Sequence, residues 1–306
     1  MAIPPPGTGR NKKNLPTRVY LASLGIFILF AAGLWFLPYN DSPSERTFIA
    51  EHLDAQGNDR LERPLTLIPK KPEVLEIKKK TLYFVIDDAG HNLTQLQKFL
   101  DFPGKITIAV IPDLAYTKEA SKKILEAGKA LILHMPMEAL RNDAGADALR
   151  VGDDEITIRS KLKRALDQVV GAHGMNNHMG SKATADIPLM TEVFRYLKEN
   201  NLFFLDSLTN SQSVATRLGR EMNYTVGERD VFLDNEKTQE FILQAIEEGK
   251  KTADQKGHAV MIGHVWTSEL AEVLTEIYPQ LLDEGYTLDD LPHLFALPVD
   301  DDSTGN

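Results

Sequence analysis

The sequence contains no cysteine. That excludes thiolate metal ligands, a cysteine nucleophile and a disulfide framework, and it leaves stability to the apolar core that 306 residues can build. A basic surface stripe is also missing. Net charge is −10, and the first 39 residues hold Arg10, Lys12, Lys13 and Arg18 without an acid, leaving −14 for the rest. Such an acidic body argues against nucleic acid as a partner. There is no glycine-rich phosphate loop and no internal repeat.

One long uncharged apolar run stands out, Val19 to Leu37. As a helix rising about 1.5 Å per residue it just spans a bilayer core of roughly 30 Å. The four cations precede it, so the positive-inside rule places residues 1–18 in the cytoplasm as a basic tip and the remainder outside. Trp35 and Tyr39 fall near the far interface. A cleaved signal peptide is the competing expectation and would make the protein secreted. Ala31-Ala32-Gly33, however, runs straight into apolar Leu34 to Leu37, which is poor cleavage-site chemistry. The expected organisation is an anchor at 19–39, a flexible tether at 40–80 punctuated by Pro43, Pro64, Pro69 and Pro72, a folded domain at 81–298 and a frayed tail at 299–306.

From Thr81 the pattern alternates short apolar runs with amphipathic stretches. The predicted strands are Leu82–Ile86, Ile106–Ile111, Ala130–Leu133, Gly174–Asn177, Leu202–Leu205, Val231–Leu233 and His258–Ile262. Helices are predicted over Leu93–Leu100, Thr117–Ala127, Glu155–Val170, Ile187–Glu199, Ser211–Asn223, Lys237–Lys256 and Ser268–Leu282. Apolar strands alternating with helices imply parallel pairing with helical crossovers. About seven such strands suit an α/β fold of the (β/α) barrel type, distorted or incomplete; a doubly wound open sheet is the alternative.

Acids and histidines recur just past these strands: Asp87 and Asp88, His134, His178, Asp206, Asp234 and His264. In parallel α/β folds those ends converge on one face, where active sites lie. Taken singly, each has a bland reading. Asp87 and Asp88 could cap the next helix, although Asn92 can do that instead. His134 could be a satisfied strand-end histidine; Pro136 after it is expected to end the ladder. Around His178 the polar residues Asn176, Asn177, Ser181, Lys182 and Thr184 crowd a turn at Gly180. His264 stands beside Trp266, in an aromatic-lined cleft or as a structural histidine. Glu138, Asn177, Ser181, Asp206, Asp230 or Asp234, and Trp266 are candidates for orienting ligands or touching substrate. A carboxylate and two imidazoles with open positions suit Zn²⁺, and also Co²⁺, Mn²⁺ or Fe²⁺; without cysteine, zinc is the expectation.

In chain order, FVIDDAGHN, LHMPME, NNHMGS, FFLDS, RDVFLDN and a late GH resemble the divergent polysaccharide deacetylase family, a distant branch of the chitin, peptidoglycan and xylan deacetylases. The resemblance spans roughly Thr81 to Pro298. It implies a distorted (β/α) barrel and a metal-dependent deacetylase site acting on an acetylated glycan of the bacterial envelope. Carried over, Asp87 resembles the catalytic base, Asp88 a metal ligand, His134 the first histidine ligand and His264 the general acid. The chain departs from mainstream members at two places. Glu138 stands where they have a second metal histidine, and NNHMGS replaces their Arg-x-Pro-Tyr motif, so His178 is inferred to supply the missing ligand. The rival expectation is a catalytically silent metal-containing envelope protein that binds a glycan or an assembly partner, with Trp266 as a stacking platform.

Overall fold

A computed structural model of the protein describes residues 80–296. The expected anchor and tail lie outside them, as does the tether except for Lys80, which is the first residue of a strand. No helix among the described residues is long and apolar enough to cross a membrane.

The elements follow in chain order: β1 (Lys80–Ala89), α1 (Leu93–Leu100), β2 (Thr107–Val110), α2 (Thr117–Glu126), β3 (Ala130–Met137), α3 (Glu155–Leu166), β4 (Gly174–Met179), α4 (Ile187–Glu199), β5 (Phe203–Asp206), α5 (Ala215–Glu221), β6 (Val226–Glu228), β7 (Val231–Phe232), α6 (Gln239–Lys256), β8 (His258–His264), α7 (Ser268–Asp283), β9 (Tyr286–Asp289) and α8 (Leu291–Phe295). All pairings are parallel, in the order β6-β5-β4-β3-β2-β1-β8-β7, with β9 added to β1.

This order runs on without the reversal of a doubly wound sheet, so the barrel expectation holds and the open-sheet alternative falls. The two edges meet through covalent continuity. Between β6 and β7 stand only Arg229 and Asp230; the Arg229 N–H donates to Asp206 of β5 and the Asp230 N–H to Val260 of β8. One extended run, Val226 to Leu233, is thus handed from one edge of the sheet to the other.

Strand alternation sorts the core into two layers. Phe84, Leu131, Met175, Phe204 and Met261 point outward, under the helices, into the larger cluster. Tyr83, Val85, Ala109, Ile132, Leu205, Val260 and Ile262 point inward and fill the barrel. α8 completes this interior from the N-terminal end of the strands. Leu291 is fully buried there, and Phe295 stacks on Phe203 with centroids 4.2 Å apart. Gly227 permits the approach, because a Cβ at that position would sit 2.5 Å from the Phe295 ring.

Three expectations needed correction. β6, β9 and α8 escaped notice because they are short and carry little apolar pattern. Two helices are shorter than predicted, α3 ending at Leu166 and α5 covering only Ala215–Glu221. Pro136 does not end its strand, for β3 continues to Met137 with Pro136 paired to His178. β2 has already stopped opposite Leu133, and the edge it vacates is taken by Leu149, which donates its N–H to the Pro136 carbonyl. A proline needs no N–H at such an edge.

Candidate functional site

The same alternation that fills the barrel builds a polar bowl one layer above. Asp87 follows Val85 on the inward face of β1, His134 follows Ile132 on β3, and His264 follows Ile262 on β8. Asp87 and His264 are direct neighbours in the β1–β8 ladder. On β4 the inward residues are Asn176 and His178.

By alternation Asp88 should point away from Asp87. A bulge prevents this: Ile86 pairs with Ile108 but Ala89 with Val110, so β1 holds one extra residue. Asp88 absorbs it with a left-handed backbone, φ 65°, and both carboxylates reach the bowl.

Asp88 Oδ1 lies 3.2 Å from His134 Nε2 and 3.0 Å from His178 Nδ1, and the two nitrogens are 3.2 Å apart. These three atoms form a nearly equilateral triangle. Ligand atoms held about 2.1 Å from one divalent cation are separated by about 3.0–3.4 Å, so the triangle has the right size for a shared ion. Asp88 Oδ1 is buried, and with unprotonated nitrogens facing it from both rings it has no hydrogen-bond donor among the described residues, an expensive condition for a carboxylate oxygen unless a cation satisfies it. The donor chemistry and the orphaned oxygen both fit a divalent metal. Burial alone would raise the Asp88 carboxyl, but the facing His134 and His178 imidazoles outweigh it and hold Asp88 well below the usual carboxylate range.

Asn176 ties this triangle to Asp87. Its side-chain amide donates to Asp87 Oδ1 at 2.8 Å, while its carbonyl oxygen lies 2.7 Å from His134 Nδ1. With Nδ1 donating to that oxygen, His134 presents an unprotonated Nε2 to a cation. Asp87 is 2% exposed; burial pushes its carboxyl up, against the opposing pull of His134, His264 and Asn176. Burial would lower His134, yet the Asp87 and Asp88 charges prevail and raise it to about 9.

Across the bowl, His264 Nδ1 lies 2.9 Å from buried Asp234, which also accepts from the His264 backbone N–H and the Thr267 hydroxyl. Burial works against the imidazolium, but Asp234 outweighs it and the His264 pKa is raised. The ring stacks on Trp266 with centroids 4.7 Å apart.

The remaining sequence candidates lie outside this cluster. Glu138 turns away, bonded to Lys182 at 2.7 Å and to the Val151 N–H. Asn177 points to the opposite side of β4 from Asn176 and braces Ser207 and Met179. Asp206 likewise faces away and accepts from Ser213 and the Leu208 N–H. Ser181 accepts from the Leu140 N–H. Asp230 sits lower on the barrel, paired with Lys256 and the Val260 N–H. Of the pair Asp230 or Asp234, only Asp234 touches His264. Asn176 was legible, because His178 two residues on shares its face. A second acid–histidine group, Asp289, Asp290 and His293, lies beside the lower half of β1, where Lys105 already contacts Asp289 at 2.8 Å.

Residues 84–295 match the family model described as divergent polysaccharide deacetylase. A Haemophilus influenzae protein is 34% identical over 186 residues, 60% of this chain and 66% of its own length. An Escherichia coli K12 protein is 32% identical over 184 residues, 60% of this chain and 58% of its own. Both are described as uncharacterized, and the match spans less than two thirds of either relative. The crystal structure of an uncharacterized Agrobacterium tumefaciens C58 protein is similar with a TM-score of 0.67 at 21% identity, covering 70% of this chain and 88% of that one. At that identity the likeness speaks to the fold.

Proposed function

Since the chain belongs to the divergent polysaccharide deacetylase family, we propose that it is a metal-dependent hydrolase that removes acetyl groups from a glycan of the bacterial envelope. The observation that carries this reading is the triangle of Asp88, His134 and His178 ligand atoms, one corner of which is an orphaned carboxylate oxygen. These residues would hold the cation, with zinc favoured by the carboxylate–imidazole set. When bound, a divalent cation supplies Lewis-acid polarisation of an acyl carbonyl and a lowered pKa for water.

The chain's own groups supply the proton transfers. Asp87 is the base. Asn176 occupies its Oδ1, and Oδ2, 3.7 Å from His134 Nε2, is left to accept a proton from the attacking water. His264 is the acid: Asp234 secures its Nδ1, so Nε2 is the nitrogen that protonates the departing amine or alcohol. Phe232 and Trp266 wall this side. The envelope location rests on Val19 to Leu37 and the cations before it.

The silent binding protein is less well supported. A sugar platform needs an open aromatic face, and Trp266 is packed by His264 and by Lys237, whose Nζ lies 4.0 Å from the ring centroid. The test is metal content together with acetate release from acetylated glycan fragments by the full-length chain. About one metal per chain with acetate release, both lost in His134→Ala, is the expected outcome. Bound metal without acetate from any fragment would shift the reading to a binding protein, and no metal would refute the site.

A further inference from the structure

Trp266 stands two residues beyond His264, where the chain leaves β8 for α7. It is 36% exposed, yet its contacts face inward. The indole Nε1–H donates to Asp88 Oδ2 at 2.9 Å. The ring lies nearly parallel to His264, at 17°, with Lys237 over it as well.

A carboxylate has two equivalent oxygens and can swing between them or offer both to a cation. Here one is taken. The indole N–H is a donor with no acceptor capacity, so it secures Oδ2 without competing for a metal. Oδ1 alone then faces His134 and His178. The same rigid ring that makes this bond also limits the tilt of His264. We infer that Trp266 is a positioning residue that joins the two halves of the bowl: it fixes Asp88 as a one-oxygen ligand and holds the His264 ring at its angle. Resting on the cation-site reading above, this makes Trp266 a direct side-chain link by which loading of the Asp88 side reaches the His264 side. Partners that orient metal ligands typically alter metal affinity by about 10–100-fold.

The sequence has two tryptophans, Trp35 and Trp266. In a full-length Trp35→Phe chain, emission therefore reports Trp266 alone. Zinc titrated into that chain is expected to change the emission, with saturation near one ion per chain. Trp266→Phe keeps an aromatic ring and removes the donor. Equilibrium dialysis should show zinc held about 10–100-fold more weakly, while the metal-free melting temperature stays close to that of the parent. Zinc bound equally tightly by parent and Phe variant would overturn the role of Trp266 and leave the cation site standing. Failure of the parent to bind zinc would refute the cation site itself. Should the Phe variant fail to fold, the emission titration decides: saturable zinc binding that leaves Trp266 emission unchanged overturns the coupling.

Discussion

A single residue separates Val85 from Asp87 on β1, Ile132 from His134 on β3 and Ile262 from His264 on β8. In each pair the first side chain fills the barrel and the second faces the bowl. The lower layer is apolar and sealed by α8, with Phe203 and Phe295 stacked at its floor. The upper layer buries Asp87, Asn176 and His134 at 2% exposure or less. Burying a charge costs stability unless it is paired, whereas each buried large apolar side chain contributes roughly 1.5–3 kcal/mol. One step along a strand thus divides a layer that holds the fold together from a layer that draws on that stability. The two should respond differently to change.

The widest separation is expected for Asp87→Asn. Turnover should fall by about 10²–10⁴-fold, the usual worth of a general base, while metal content remains that of the parent. Unchanged acetate release would break the division of labour between Asp87 and Asp88. Phe203→Ala is the converse probe. It should cost about 3–5 kcal/mol of unfolding free energy in denaturant titrations, with zinc affinity in the surviving native state unaltered. A loss of affinity as large as the loss of stability would mean that floor and bowl are one cooperative unit.

A pH titration separates the layers more finely. In the metal-free chain the His134 pKa is raised from the ordinary 6.5 to about 9. Its contribution to stability is therefore fully present below pH 6.5 and lost as pH rises through about 9. Zinc competes with that same proton, so its affinity should rise across the window in which metal-free stability falls. Melting temperatures with and without zinc, measured from pH 6 to 10, should converge at low pH and diverge at high pH. The smallest effect belongs to Glu138→Gln, which breaks a half-exposed pair with Lys182. It should cost about 1 kcal/mol or less and leave zinc binding unchanged; a large drop in zinc affinity would return Glu138 to the bowl.

The seven apolar strands and the convergence of their ends were readable because both depend on local pattern. Asp87, His134, His178 and His264 needed only the rule that parallel strands present their C-terminal ends together. The choice of Asn177 over Asn176 was an error that strand alternation could have prevented. Asp206 was misplaced for the same reason, since Leu205 and Ser207, not Asp206, share the inward face. Other features had no local signal. The bulge that turns Asp88 inward depends on the β1–β2 register, and the pairing of Asp234 with His264 on the β7–β8 register. Such registers join residues far apart in the chain, and residue types alone do not state them. Pro136 misled because its effect depends on whether a neighbouring strand is present, and β2 had already ended.

The run from Val226 to Leu233 acts like a rack between two gears. Its first half meshes with β5 and its second with β8, and the Arg229-Asp230 step between them has no slack to absorb a mismatch. A slip of one residue against β5 would drive the second half forward by about 3.3 Å and lift Asp234 off His264. The partner of the proposed proton donor is thus timed from the other edge of the sheet.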